Sequence, residues 1–114
     1  LAISEPIGHD GGENSEVLER FRAMLTKEAN ETRKEAISTA KLAITIYKSG
    51  EKELALLVIR ESMRIAKSYI ELAEKVGEND DKAYDLLVGI ETIEELIKNN
   101  EKADYLRGIL EEIS

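Results

Sequence analysis

Residues 36–77 read AISTAKLAITIYKSGEKELALLVIRESMRIAKSYIELAEKVG, two apolar-rich segments joined at Ser49-Gly50 and closed by Gly77. In the first segment Ala36, Ala40, Ala43 and Tyr47 recur in steps of three and four, the period of a helix with one buried face. The second carries a stripe of Leu54, Val58, Ile65, Tyr69, Leu72 and Val76. Leu57, Ile59, Met63, Ala66, Ile70 and Ala73 form another apolar face beside it. The stretch therefore predicts two long helices folded back on each other at Gly50. The wide apolar face of the second marks it as the helix surrounded by others.

Working outward, the first helix extends back through Ala29, Leu25, Phe21 and Leu18 to a cap at Asn14 or Ser15, with Glu16 and Glu19 at its positive end. Its expected length is about 50 Å at 1.5 Å per residue. Between Thr26 and Glu35 the only apolar residue is Ala29, so that stretch either allows very close helix approach or faces solvent. After Gly77, the cap candidates Asn79, Asp80 and Asp81 open a third helix, which carries Ala83, Tyr84, Leu87, Ile90, Ile93, Leu96 and Ile97 to about Lys98. Asn99-Asn100 ends it, and Glu101 to about Ile113 forms a short fourth helix or a bent continuation. Residues 1–14 contain the only proline, Pro6, and the run Gly8-His9-Asp10-Gly11-Gly12, which reads as an irregular arm. The expectation is an all-α, antiparallel up-down bundle of three long helices and a short fourth. Residues 15–114 form its single domain, with the arm before it.

The helix lengths do not match. A second helix returning from Gly50 reaches only the mid-twenties, which leaves Val17, Leu18, Phe21 and Leu25 on an overhang. A lone phenylalanine there needs a cover from the fourth helix, the folded-back arm or a second subunit. Cover from the same chain is the expectation.

Composition closes off much chemistry. The chain has 114 residues, no cysteine, no tryptophan, no glutamine and one histidine, which excludes disulfides, thiolate metal sites and multi-histidine centres. The acidic residues outnumber the basic ones by 24 to 16, so the averaged surface repels phosphate and anionic lipid. Neither nucleic acid nor membrane is an expected partner. The longest apolar run, Leu54 to Ile59, falls far short of the ~20 residues needed to cross a bilayer. The first residues lack the pattern of an export signal, so the cytoplasm is the expected location. Abundant Glu and Lys without Cys or Gln fit a thermostable, heat-adapted protein, and equally an idealised engineered helical scaffold. Gly89 within a helix and the β-branched Ile44-Thr45-Ile46 favour a natural origin.

Around the first turn, Leu42-Ala43, Ile46, Gly50, Ala55, Ile59 and Ser62 form a pattern that resembles one tetratricopeptide-type helical hairpin. MIT (microtubule-interacting and trafficking) domains are similar to that hairpin. The resemblance spans residues 42–66, with Ser62 where those families prefer Ala and Ile46 where an aromatic is common. It implies peptide binding between helices without catalysis. Pairs spaced as Glu-x-x-Glu put two carboxylates on one helix face, as divalent metals require. Glu71/Glu74 followed by Glu101/Asp104 formally resembles the set in all-α MazG-type nucleotide pyrophosphatases, although the second element falls two helices on. With nineteen glutamates, ordinary solvated faces account for these pairs. His9-Asp10, with Glu13 and Glu16 nearby, reads as a solvated turn rather than a metal site. Tyr47, Tyr69, Tyr84 and Tyr105, one per helix, read as rings at the core edge. Tyr47 and Tyr69 on inward stripes are also candidates for a shared aromatic groove.

The functional expectation is a non-enzymatic protein–protein interaction or self-association module without cofactor or metal. It would bind a helix, a peptide or a second copy through Val17, Leu18, Phe21 and Leu25, with Tyr47 and Tyr69 as further candidates. Acidic flanks would favour a basic partner. The alternatives are a small metal-dependent nucleotide pyrophosphatase and an engineered scaffold.

Overall fold

The computed structural model describes residues 4–77 and 81–114, with side chains from Ser15 onward. It contains four helices, α1 (Ser4–Lys48), α2 (Lys52–Lys75), α3 (Asp81–Lys98) and α4 (Ala103–Ile113), and no strand among the described residues. The all-α class follows directly. The helix α1 runs to Ser4 rather than starting at Asn14 or Ser15. Pro6 falls near its first turn, where a missing N–H leaves no ladder bond unmade. The side chains of residues 1–14, including His9, and the cap candidates Asn79 and Asp80 lie outside the described residues.

The turns end the helices by one device. Gly50 and Asn100 both adopt left-handed backbone, with φ of 93° and 60°. At each, two bonds close a Schellman motif: Glu51 N–H donates to Ile46 O and Gly50 N–H to Tyr47 O, while Glu101 N–H donates to Leu96 O and Asn100 N–H to Ile97 O. Asn tolerates this region because its short side chain costs little there. Helices α3 and α4 are therefore separate elements.

Bonds between elements give the direction of packing. The hydroxyl of Ser62 donates to Ala36 O at 2.7 Å across α1 and α2. Tyr84 bonds Glu74 near the start of α3, Arg60 bonds Glu94 in its later half, and Lys52 donates to Lys98 O at its end. Tyr47 donates to Glu101 O at one end of the α1–α4 pair, and Arg33 donates to Ile113 O and Ser114 O at the other. In both of these series one number rises as the other falls, so α2–α3 and α1–α4 run antiparallel; Ala36 and Ser62 lie fourteen and twelve residues from Gly50 on either side of the turn, so α1–α2 does too. The helices form a ring in which α1 and α3 each pack against α2 and α4.

Small residues line the α1–α2 seam. Ala29, Ala36, Ala40 and Ala43 of α1, with Ala55, Ser62, Ala66 and Ala73 of α2, are all 2% exposed or less. A serine has a single carbon to extend its hydroxyl, so a direct bond to the main chain opposite requires the two backbones to lie close. The stretch whose only apolar residue is Ala29 thus packs tightly through it; Thr26, Thr32 and Arg33 are half-buried and the remaining side chains face solvent. Larger side chains, Ile44, Ile59, Leu86, Ile90, Ile93, Ile97 and Leu106, fill the centre. Arg33 supplies charged donors to the last carbonyls of α4, the negative end of that helix.

Two expectations about coverage are corrected. Leu54 and Leu57 do not face other helices; they are 49% and 62% exposed, because α2 has neighbours on two sides only and its third side is open. The overhang also lacks cover from α2 or α4. Lys75, the last residue of α2, lies thirteen residues beyond Ser62, and thus level with the position thirteen before Ala36, at Ala23. Helix α4 stops at Arg33. Neither element is long enough to reach Phe21, and residues 4–14 continue α1 instead of forming an arm that folds back over it.

Candidate functional site

The feature that stands apart from the core is the unpartnered part of α1. Residues 15–24 are all exposed, and among them Val17, Leu18, Phe21 and Met24 are 59%, 64%, 56% and 67% accessible. Leu25 is half-buried where α2 ends. At 100° per residue these five side chains span an arc of about 120°. Leu18 and Leu25 continue the line of Ala29 and Ala36. Val17, Phe21 and Met24 widen it toward the open side of the α1–α2 pair. The buried seam therefore emerges from the bundle as an exposed apolar stripe. Met24 is a member that the sequence reading passed over; its position three after Phe21 and seven after Val17 was the available signal.

The flanks of the stripe are of mixed charge rather than acidic. Arg20 pairs with Glu16 at 3.3 Å, one turn apart and in solvent. Such a pair adds only a few tenths of a kcal/mol, about 0.3–0.5. Glu19, Arg22 and Lys27 form no ion pair among the described residues.

Tyr47 and Tyr69 are not brought together. Tyr69 is 5% exposed within the core, and Tyr47 is half-buried near the first turn with its hydroxyl on Glu101 O. Tyr47 lies beside that turn, whereas Tyr69 lies seven residues beyond the Ser62–Ala36 bond toward the other end of α2. No shared aromatic groove results, so Val17, Leu18, Phe21 and Leu25 form one surface and the two tyrosines do not join it. Tyr84 and Tyr105 have exposed rings.

The carboxylates do not converge either. Glu74 accepts a bond from Tyr84 at the end of α2, whereas Glu101 sits beside Tyr47 at the opposite end of the bundle. No group of three or more His, Cys, Asp or Glu has the geometry to hold a metal among the described residues. A second, smaller apolar surface lies at the first turn, where Leu42, Leu54 and Leu57 are about half exposed or more. The groove between α1 and α4 is lined by Lys41, Ile44, Thr45, Arg107, Leu110, Glu111 and Ser114, of which Lys41 and Glu111 are exposed. No helix among the described residues is long and apolar enough to cross a membrane.

No protein-family model, no curated protein and no solved structure matches this chain. The tetratricopeptide and MIT resemblance of residues 42–66 therefore stands on the hairpin alone.

Proposed function

We propose that this protein is a non-enzymatic interaction module that docks an apolar helical surface onto the stripe formed by Val17, Leu18, Phe21, Met24 and Leu25. One observation carries the reading: four large apolar side chains, each more than half exposed, share one face of a helix that has outrun its partners. Scattered exposed hydrophobics are ordinary, but a contiguous patch on one face marks an interaction site. Burying each side chain would be worth roughly 1.5–3 kcal/mol, so a partner that covers all of them gains enough to offset the entropy of association. The mode is helix-in-groove or helix-on-helix docking, with anchors at three- and four-residue spacing.

A photo-cross-linking residue in place of Met24 tests this, with the same residue in place of exposed Glu91 as the control. In the purified protein and in cells that express it, position 24 should capture a neighbour, whether a second copy or a different protein. Position 91 should not. Absence of any product specific to position 24 would refute the docking role.

A further inference from the structure

We propose that the groove between α1 and α4 binds a small monocarboxylic acid with an apolar body, its carboxylate held between Lys41 and Arg107 and its body laid on Ile44 and Leu110. The groove has a volume of about 390 Å³, within the range of about 300–1,000 Å³ for small-molecule sites. Ile44 and Leu110, both buried, form its floor, and the polar side chains stand at its rim.

A pair of like charges is the first support. Tyr47 meets Glu101 at one end of the α1–α4 pair. Lys41 lies six residues before Tyr47 and Arg107 six after Glu101, so antiparallel packing sets the two cations level with each other. Both line the groove, and neither forms an ion pair among the described residues. Two cations on facing banks repel, and an anion between them replaces that repulsion with two attractions. Arg107 is also half-buried. Arg33, the other half-buried arginine among the described residues, donates to Ile113 O and Ser114 O, whereas Arg107 has no such carbonyl to receive its donors. Its guanidinium presents N–H groups as a fork that matches a carboxylate.

The rim sets the charge of the ligand. Glu111 lines the groove one turn after Arg107 but pairs with neither cation. Two cations and one carboxylate leave a single net positive charge, which a monoanion neutralises and a phosphate dianion exceeds. The floor sets the rest of the molecule, since contact with Ile44 and Leu110 favours an alkyl or aryl body. The acidic excess of the whole chain opposes every anion, so the affinity stays modest. This site does not overlap the docking stripe, because α4 reaches only to Arg33, twelve residues after Phe21.

The test is a titration of the full chain with octanoate, followed by backbone amide NMR. Saturable shifts should appear around Lys41–Thr45 and Arg107–Ser114, with a Kd of roughly 0.1–1 mM for a ligand of about ten non-hydrogen atoms. Octanol, which has the same body without the charge, should bind at least about tenfold more weakly, and inorganic phosphate should give no saturable shift. In Lys41→Gln/Arg107→Gln the octanoate affinity should fall by about tenfold or more with an unchanged circular dichroism spectrum, since neither side chain has a partner within the chain. Glu111→Gln should act in the opposite sense and tighten binding by about two- to threefold. The proposal is overturned by octanol binding as tightly as octanoate, or by full affinity in the double variant. Shifts confined to residues 15–25 would place the octanoate on the docking stripe and overturn it equally. Phosphate binding as tightly as octanoate would reduce the groove to a plain anion site and remove the role of its floor. Absence of any saturable shift would remove the site, and would leave the photo-cross-link at position 24 to decide the docking role by itself.

Discussion

Gly89 shows how one residue records a packing decision. It lies in the interior of α3, where glycine is less favourable than alanine by roughly 1 kcal/mol, and reads from the sequence as a blemish. The structure supplies its reason: a Cβ built there would lie 2.5 Å from Ile113 Cδ1 and 2.9 Å from Ile113 Cγ2, at the α3–α4 contact. Overpacking of this kind costs about 1–3 kcal/mol, more than the helix preference returns. Gly89→Ala should therefore lower stability by about 1 kcal/mol in urea unfolding, within the ranges of the two opposing effects. Combined with Ile113→Ala, the loss should be smaller than the sum of the two single losses, because the clash has gone. Should Gly89→Ala prove stabilising on its own, the close approach of α4 is not as described. Tyr84 offers a titration at the same scale. The Glu74 carboxylate facing its hydroxyl, and the hydrogen bond between them, hold the Tyr84 phenol above its ordinary value. Raised in the folded state, the group contributes its stability below the ordinary tyrosine range, and that contribution is lost as pH rises through the folded value. The Cζ resonance of Tyr84 should titrate later in the wild type than in Glu74→Gln, and equal midpoints would remove the interaction.

At the scale of elements, the seam between α1 and α2 makes a sharper test than the core centre. Ser62 sits in a line of alanines, and its bond to Ala36 O is additional to the ladder bond that carbonyl accepts within α1. Ser62→Ala thus leaves no orphaned acceptor and should cost no more than about 1 kcal/mol. Ser62→Leu keeps the apolar character but must push the backbones apart, and should cost about 3 kcal/mol. Equal effects of the two changes in a chemical unfolding titration would mean that the helices do not approach closely there. Much of this level was legible beforehand. Period-of-four spacing gave the helices, and Gly50, Gly77 and Asn100 gave their ends, because left-handed backbone has few tolerant residue types. What escaped was whatever depends on the number and reach of neighbours. Leu54 and Leu57 widened an apolar face, yet width does not state how many helices will cover it. Phe21 seemed to demand a cover from its own chain, whereas α4, with its last carbonyls on Arg33, is too short to supply one. The start of α1 was misplaced because Pro6 and the glycines that follow carry strong local signals against a helix.

The whole molecule is far from spherical. Its radius of gyration is 19.6 Å and its extents are 71 × 20 × 16 Å, whereas a compact chain of this length would have a radius near ~13 Å. One helix runs the length of the molecule, and the other three complete a bundle with one part of it. Stability should therefore grade along α1. Isolated helices of modest length are marginal in water, and local opening costs least where few buried contacts would be lost. Around Ala36, Ala40, Ala43 and Ile44, all fully buried, the amides can exchange only when the bundle opens. From residue 15 to residue 24 no buried side chain among the described residues opposes fraying in a single copy. Amide hydrogen exchange on dilute protein should accordingly be slow over residues 36–46 and faster by orders of magnitude over residues 15–24, even though both belong to one helix. Raising the concentration should slow exchange over residues 15–24 alone if a second copy covers the stripe, since binding to the ordered helix stabilises it by mass action. In Leu18→Glu/Phe21→Glu that protection should be absent at every concentration, while residues 36–46 keep theirs. Uniform protection along α1 in the dilute wild type would mean that the stripe is already covered within the chain, and the docking role would fall with it.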